Sequence, residues 1–343
     1  MPTLKELARL AGVSTSTVSK ALNNSPDIAE ETRDQIVELA MREGYHKKFR
    51  KKSAARPSSF AGPKIGLIYS DVISSYYSRV IEAFSRRVSD MDGVLIACDA
   101  SFSNERSLAL CNFLDQQCHV DGIISLSNTY DPSDFPTTRA PMIASFGQSS
   151  FRKVMDGYIP CDLFCINAKT GLKQAIEQLM ALGHRDFAFI GESHTHYRER
   201  LFLELAEEHD LKIPAGCVRI SSRRFEEAGF TAMRELLAEG YRPTAVLCGY
   251  DNLAVGASKA ILDAGLRIPE DISLVGFDNS RLRLYNQKIL ASVDSFVEDQ
   301  ARLVLDLLMK RITEPSDGVI QNIALQTAFI PNETIGPAPN KTK

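Results

Sequence analysis

No apolar run in this 343-residue chain approaches the length of a membrane span; stretches such as "IGLIY" and "GVLIA" are strand-sized. The first residues, "MPTLKELARLAG", lack the basic segment and apolar stretch of a secretory signal, which predicts a cytoplasmic protein. Seven cysteines (98, 111, 118, 161, 165, 217 and 248) form no CxxC pair, and their odd number argues against a disulfide framework. Reduced thiols are the plain expectation. Enzyme signatures are missing as well: there is no G-x-S-x-G, no P-loop, no H-E-x-x-H and no G-x-G-x-x-G. The chain therefore reads as a non-enzyme with no cofactor. Among six histidines, "HTHY" at 194–197 invites a metal reading, because alternate residues on a strand share a face. A loop past "AFIGES" explains that stretch better, and no metal is expected.

What is present is an ordinary globular composition, 44% hydrophobic and 24% charged, over a length that suggests two or three domains. The net charge of −3 hides an asymmetry. Residues 1–56 hold eleven Lys/Arg against seven Asp/Glu, leaving 29 against 36 in the remainder. A small basic head on an acidic body points to a head that meets phosphate and a body that does not.

The head reads as three short helices. In "TLKELARLAG", Thr3 and Glu6 stand at capping-box spacing, and Leu4, Leu7, Ala8 and Ala11 recur on one helical face. Gly12 supplies the positive φ of a tight turn, and Ser14 is a good N-cap for "STSTVSKALN", whose Val18, Ala21 and Leu22 face inward. Asp27 and Glu30 suit the start of a third helix, with Ile36, Leu39 and Ala40 on its apolar face and Gly44 at its end. Two helices around "AGVS" with a third packed behind them form a helix-turn-helix. In that geometry the second helix enters the major groove of DNA. Its exposed positions, Thr15, Ser16, Thr17, Ser19 and Lys20, are small polar or basic, suited to phosphates and base edges.

From Lys64 the pattern becomes strand–helix alternation. "KIGLIYS", "GVLIACD", "DGIISLS" and "PMIASF", then "DFAFIG", "TAVLCG" and "DISLVGF", are short β-rich runs separated by helical stretches. Such alternation implies parallel sheets covered by helices on both faces, here in two lobes. Ligands in these folds bind past the carboxyl ends of the strands, which singles out Asp71, Asp251 and Asp278. From the residues alone, each of them is more readily a helix N-cap or a solvated loop carboxylate.

The head, "TLKELARLAGVSTSTVSKALNNSPDIAEETRDQIVELAMREGY", resembles the DNA-binding head of the lactose/galactose repressor (LacI-type) family. "ALGHRDFAFIG", "CGYDNLAVGASKAILDAGLRIPEDISLVGFDN" and "SVDSFVEDQARLVLDLLMKRI" resemble that family's effector-binding body, which shares its fold with periplasmic sugar-binding proteins. The resemblance implies an all-α helix-turn-helix head joined to an α/β body of two doubly wound, parallel-sheet lobes. The boundaries it suggests are 1–46 for the head, 47–63 for a basic linker and 64–335 for the effector-binding and dimerisation body, with a tail at 336–343. Within the body, 64–163 and 295–318 are assigned to the first lobe, 164–291 and 319–335 to the second.

The resemblance also implies residue roles. Thr15, Ser16 and Lys20 become base-reading positions, while Thr3, Ser14, Thr17, Ser19, Asn23 and Thr32 position the phosphate backbone. In the body, Arg198 of "HYRERLF" matches the effector-contacting arginine, and Asp251 and Asp278 match acidic cleft positions. Tyr76 and Tyr77 match an aromatic rim, and Phe225 a position that stacks on a ligand ring. These types suit a sugar: arginine forks onto paired oxygens, aspartate accepts from hydroxyls, and aromatic rings cover apolar faces. Departures from the family pattern make the pocket more aromatic and less acidic. Phe146 stands where a polar residue often ends the fourth strand, Asn167-Ala168 replaces Asp-Asn, Leu201 replaces a glycine and Tyr250 an asparagine. A sugar or glycoside is the expected effector; a nucleobase-like or aromatic ligand is the alternative, and a body without small effector stays open. An extracytoplasmic solute-binding protein is disfavoured by the DNA head.

Between head and body, "HKKFRKKSAARPSSFAGPK" at 46–64 packs seven Lys/Arg and no acid into nineteen positions. Relatives usually read Tyr-x-Pro-Asn-x-x-Ala-Arg-x-Leu here and form a hinge helix whose leucine wedges into the minor groove. Counting from Tyr45, Lys47-Lys48 replace Pro-Asn, Lys51-Lys52 replace Ala-Arg, and Ala54 replaces the leucine. Pro57 disfavours helix at Arg56. The expectation is a tether in which Lys47, Lys48, Arg50, Lys51 and Lys52 grip phosphates with little kinking of the duplex, Phe49 being the alternative wedge. The expected partners are a near-palindromic operator, a second copy of the chain and a small effector.

Overall fold

The computed structural model describes residues 3–22, 27–29, 32–33, 35–36, 39–40, 61–126, 136–145, 161–314 and 319–339. The chain falls into two units, Met1–Ala61 and Gly62–Lys343.

In the first unit, helix α1 (Leu4–Ala11) starts with the expected capping box: the Glu6 N–H donates to Thr3 Oγ1, and the Thr3 N–H to Glu6 Oε2. Gly12 ends it in the left-handed region, at φ 65°. Helix α2 (Thr15–Leu22) follows at once, with Ser14 Oγ accepting the Thr17 N–H at 3.0 Å. The described residues between 32 and 40 are helical as well. Leu7, Ala8, Val18, Ala21, Ile36 and Ala40 are buried together as the core of the unit. The turn and the two caps fix the angle between α1 and α2, and this small core holds it.

Among the described residues, the second unit contains two six-stranded sheets. Strands β1 (Lys64–Tyr69), β2 (Val94–Asp99), β3 (Gly122–Ser125), β4 (Met142–Ser145), β5 (Asp162–Asn167) and β11 (Asn322–Gln326) form the first, in the order β11-β5-β4-β3-β1-β2. All its pairings are parallel. Strands β6 (Phe187–Glu192), β7 (Val218–Ser221), β8 (Ala245–Cys248), β9 (Ser273–Phe277), β10 (Ala291–Asp294) and β12 (Ala328–Ile330) form the second, in the order β12-β10-β9-β8-β6-β7. Among the described residues, β12 alone runs antiparallel to its neighbour in that sheet.

Both faces of each sheet are covered, which is why the strands read as unbroken apolar runs rather than alternating ones. Ile65 and Leu67 pack with Phe84 of α3 (Ser75–Asp90) and Leu308 of α9 (Val297–Thr313). Ile68 points the other way, to Cys111 and Leu114 of α4 (Asn104–Gln116). In the second lobe, Phe187 and Phe189 meet α5 (Ala168–Ala181) and α6 (His196–Glu208). Ala188 and Ile190 meet α7 (Phe225–Ala238) and α8 (Asp251–Asp263).

The chain passes between the sheets three times: after Asn167, between Asp294 and Val297, and at Thr327. This revises the sequence-based lobe boundaries, which gave 164–167 and 319–326 to the second lobe. Strand β5 instead runs to Asn167 inside the first sheet, and β11 returns to pair with it from Leu163↔Asn322 to Asn167↔Gln326. The third crossing is pinned to the first: buried Thr327 donates its hydroxyl to Asn167 O at 2.8 Å and accepts the Gly171 N–H at 3.0 Å. All seven cysteines are free thiols. Among the described residues, no helix is long and apolar enough to cross a membrane.

Candidate functional site

On the head, Thr15, Ser16 and Lys20 are exposed on α2, while Thr17 and Ser19 are half-buried. The Lys20 ammonium lies 3.1 Å from Asp27 in an exposed pair. Such a pair is weak and easily exchanged for another anion. Thr3 and Ser14 are exposed but their hydroxyls are engaged in the two caps, Ser14 also with Thr17 Oγ1 at 2.8 Å. Thr32 is half-buried in the helical stretch behind α2. Asn23, Lys47, Lys48, Arg50, Lys51 and Lys52, like Gly44 and Phe146, lie outside the described residues.

In the body, the rule of strand ends brings Asp71 and Asp278, but not Asp251, to the cleft between the lobes. Asp71 follows β1, Asp278 follows β9, and Tyr76 and Tyr77 sit in the first turn of α3. Arg198, Phe225 and Asp251 occupy the first turns of α6, α7 and α8. Arg198 is held three ways: Nη2 donates to Asp278 Oδ1 at 2.9 Å, Nη1 donates to Gly249 O at 2.5 Å, and its guanidinium lies 3.7 Å from the centre of the Phe277 ring. The flat guanidinium is thereby fixed in plane and position. Asp278 and Asn279 both have positive φ, 92° and 46°. Strained backbone of this kind persists where the surroundings dictate it and clusters at binding sites. Here Arg79 supplies part of the constraint by donating from the first lobe to Asp278 O at 3.0 Å and Asn279 O at 2.6 Å.

Asp251 does not line the cleft. Its side chain is 1% exposed and works beneath the Asp278 loop, accepting from Ser292 Oγ at 2.6 Å and from the Ser280 N–H at 2.5 Å. Burial pushes its pKa up to about 7, and the neighbouring Asp278 charge adds to that. Tyr76 and Tyr77 meet edge to face at 5.1 Å, and the Tyr76 hydroxyl donates to Gln300 at 3.2 Å. Burial raises the Tyr77 phenol to about 12. Phe225 (φ 58°) packs edge-on against Tyr250 at 6.0 Å, and its N–H donates to the Tyr250 hydroxyl.

Other residues share the cleft without having been singled out by sequence. Arg224 Nη1 comes within 2.7 Å of Asp71 Oδ2, from the opposite lobe. Its guanidinium lies 5.0 Å from the centre of the Phe102 ring and 4.6 Å from that of Phe225. His194 stacks on Phe102 at 3.8 Å, again across the lobes. Ser75 donates to Asn252 Oδ1 at 2.6 Å. Glu192, which ends β6, is 1% exposed. The "HTHY" segment is a short turn (Ser193–Thr195) running into α6, and burial lowers the His194 pKa. Among the described residues, no group of three His, Cys, Asp or Glu side chains is placed to hold a metal ion.

Comparison with known proteins accounts for both units. Residues 3–47 match the family model for bacterial regulatory proteins, lacI family, and residues 176–335 that for a periplasmic binding protein-like domain. The chain is 30% identical over 353 residues to the HTH-type transcriptional repressor PurR of Escherichia fergusonii, covering 99% of this chain and 98% of that one. Among solved structures, the transcriptional regulator CelR–cellobiose complex superposes with a TM-score of 0.66 at 23% identity, covering 97% of this chain and 100% of the other. The lac repressor dimer bound to operator and the anti-inducer ONPF superposes with a TM-score of 0.66 at 22% identity, covering 97% and 98%. These structures share the fold. Together with the helix-turn-helix head and the two-lobed body, the full-length match to PurR establishes that the chain belongs to the lacI family of bacterial regulatory proteins and is a transcriptional repressor, not an enzyme.

Proposed function

We propose that this repressor acts in the cytoplasm as a homodimer on a near-palindromic operator, and that a sugar or glycoside bound between its lobes sets operator affinity. Two-fold symmetry in the protein calls for matching half-sites in the DNA. Lys20, Thr15 and Ser16 of α2 read base edges. Thr3, Ser14, Thr17, Ser19, Asn23 and Thr32 place the head on the backbone, and Lys47, Lys48, Arg50, Lys51 and Lys52 add phosphate contacts from the linker.

One observation carries the effector reading: a guanidinium fixed at the strand ends, Arg198 bonded to Asp278 and lying over the Phe277 ring. The charges around it nearly balance. Arg198 and Arg224 face Asp71, Glu192 and Asp278, while Arg79 pairs with Glu298, which favours an uncharged, hydroxyl-rich ligand over a strong anion or cation. The cellobiose in a structural neighbour is in keeping with that chemistry. A nucleobase or other aromatic ligand is the second reading, favoured by the number of rings at the rim: Tyr76, Tyr77, Phe225 and Tyr250. Closure of the lobes on the effector would turn about the three crossings, so effector and DNA affinities are coupled reciprocally. A thermal-shift screen of the purified protein against neutral sugars, glycosides, uronates and purine bases tests this. Stabilisation by a neutral sugar or glycoside is expected, and stabilisation by purines alone would replace the first reading with the second.

A further inference from the structure

A corner of the cleft holds three buried polar atoms that make no hydrogen bond. Glu192 uses Oε2 to accept from Ser193 Oγ and the His194 N–H, both at 3.1 Å, while Oε1 is left without a partner. Arg224 Nε, 3.8 Å from that Oε1, is beyond hydrogen-bonding reach and also without a partner. Asp71 uses Oδ1 to accept the Ile73 N–H at 2.9 Å. Its Oδ2 lies 2.7 Å from Arg224 Nη1, a charge contact whose direction does not make a hydrogen bond. Buried polar atoms without partners are rare, and finding three side by side marks a place where something else supplies the bonds.

We propose that Asp71, Glu192 and Arg224 form a hydroxyl-reading subsite that selects an effector carrying two neighbouring hydroxyl groups. This rests on the effector reading above and specifies its chemistry. The open atoms are two acceptors and one donor. An ammonium only donates, leaving Nε unmet and facing it with another cation. A carboxylate or phosphate only accepts and faces two carboxylates. A hydroxyl does both: it donates to a carboxylate oxygen and accepts from Nε–H. Two adjacent hydroxyls meet all three atoms. Phe102, with His194 stacked on it at 3.8 Å and 12°, walls the corner.

The two lobes share the subsite. Asp71 and Phe102 come from the first, Glu192, His194 and Arg224 from the second. A hydroxyl pair held here ties the lobes together, so selection and closure happen at one place.

The test uses the full-length protein, its Glu192→Gln, Asp71→Asn and Arg198→Ala variants, and a library of neutral mono- and disaccharides, glycosides, uronates and purine bases. Without ligand, Glu192→Gln holds Tm, since the buried Oε1 makes no hydrogen bond and stands 3.8 Å from Arg224 Nε; a marked fall in Tm would assign Glu192 a purely structural role and overturn the proposal. With ligand, a neutral polyhydroxy compound binds the wild type, and Glu192→Gln and Asp71→Asn each weaken it by about tenfold or more, as expected for hydrogen bonds to charged groups. The deoxy analogue missing one of the paired hydroxyls loses a similar factor against the wild type and little more against Glu192→Gln. Binding lost in Arg198→Ala but undiminished in Glu192→Gln and Asp71→Asn overturns the subsite and leaves the effector reading standing. No binding by any member of the library overturns the effector reading and the subsite with it.

Discussion

Asp251 shows how a residue can match a pattern and serve a different purpose. Its position at a strand end and helix start is what the ligand rule selects, yet it is enclosed, bonded to Ser292 and Ser280 under the loop that carries Asp278. Its raised pKa makes a pH signature. With about 7 in the folded protein against an ordinary 3.8, its stabilising contribution is full below about pH 4 and is lost as pH rises through 7. The stability difference between wild type and Asp251→Asn, from urea midpoints, is therefore expected to move against the wild type between pH 5 and 8; a pH-independent difference would contradict this. Glu192 was legible in principle. It follows "FAFIG" as Asp71 follows "GLIYS", and taking β6 one residue further would have named it. Arg224 was not legible, because a "SSRRF" loop gives no sign of which arginine turns into the cleft. On the head, Lys20→Ala is expected to lower discrimination between the operator and unrelated DNA by about tenfold or more, since a bidentate base contact contributes roughly 1–3 kcal/mol. Unchanged discrimination in competitive titrations would remove Lys20 from the base-reading set.

At the scale of elements, the start of α8 is placed by its crossing with α7. Gly229 and Gly256 stand at the contact, where a Cβ on the first would collide with the Leu253 carbonyl and a Cβ on the second with that of Glu226. The close approach brings Phe225 against Tyr250 at the cleft rim. Gly256→Ala is expected to destabilise the body by about 1–3 kcal/mol, the usual cost of overpacking, seen as a lower urea midpoint. In the head, Ser14→Ala is expected to cost about 1 kcal/mol by removing the cap on α2. Caps, turn and strand identities were readable because each depends on a few adjacent residues. The lobe boundaries were not, since β5 and β11 choose their sheet by pairing with each other across more than 150 positions of sequence.

For the whole molecule, the charge asymmetry and the three crossings say most about how the protein works. Eleven positive against seven negative charges in residues 1–56 concentrate the attraction for DNA in the head and linker, while the acidic remainder keeps the body off it. Replacing Lys47, Lys48, Lys51 and Lys52 by Gln is expected to flatten the dependence of log affinity on log salt by roughly 0.9 for each phosphate that the linker no longer neutralises, with sequence preference unchanged. With Ala54 where relatives carry a wedging leucine, a circular-permutation bending assay is expected to show little operator kink. The central claim is that a ligand between the lobes controls the head. Titration of an operator fragment, selected from a random DNA pool, with wild type and Arg198→Ala, each with and without the sugar found by thermal shift, tests it most directly. The account predicts equal operator binding by the two proteins without ligand and a ligand-dependent change in the wild type alone. An unchanged wild-type titration at saturating ligand, or an equal response in Arg198→Ala, would contradict it.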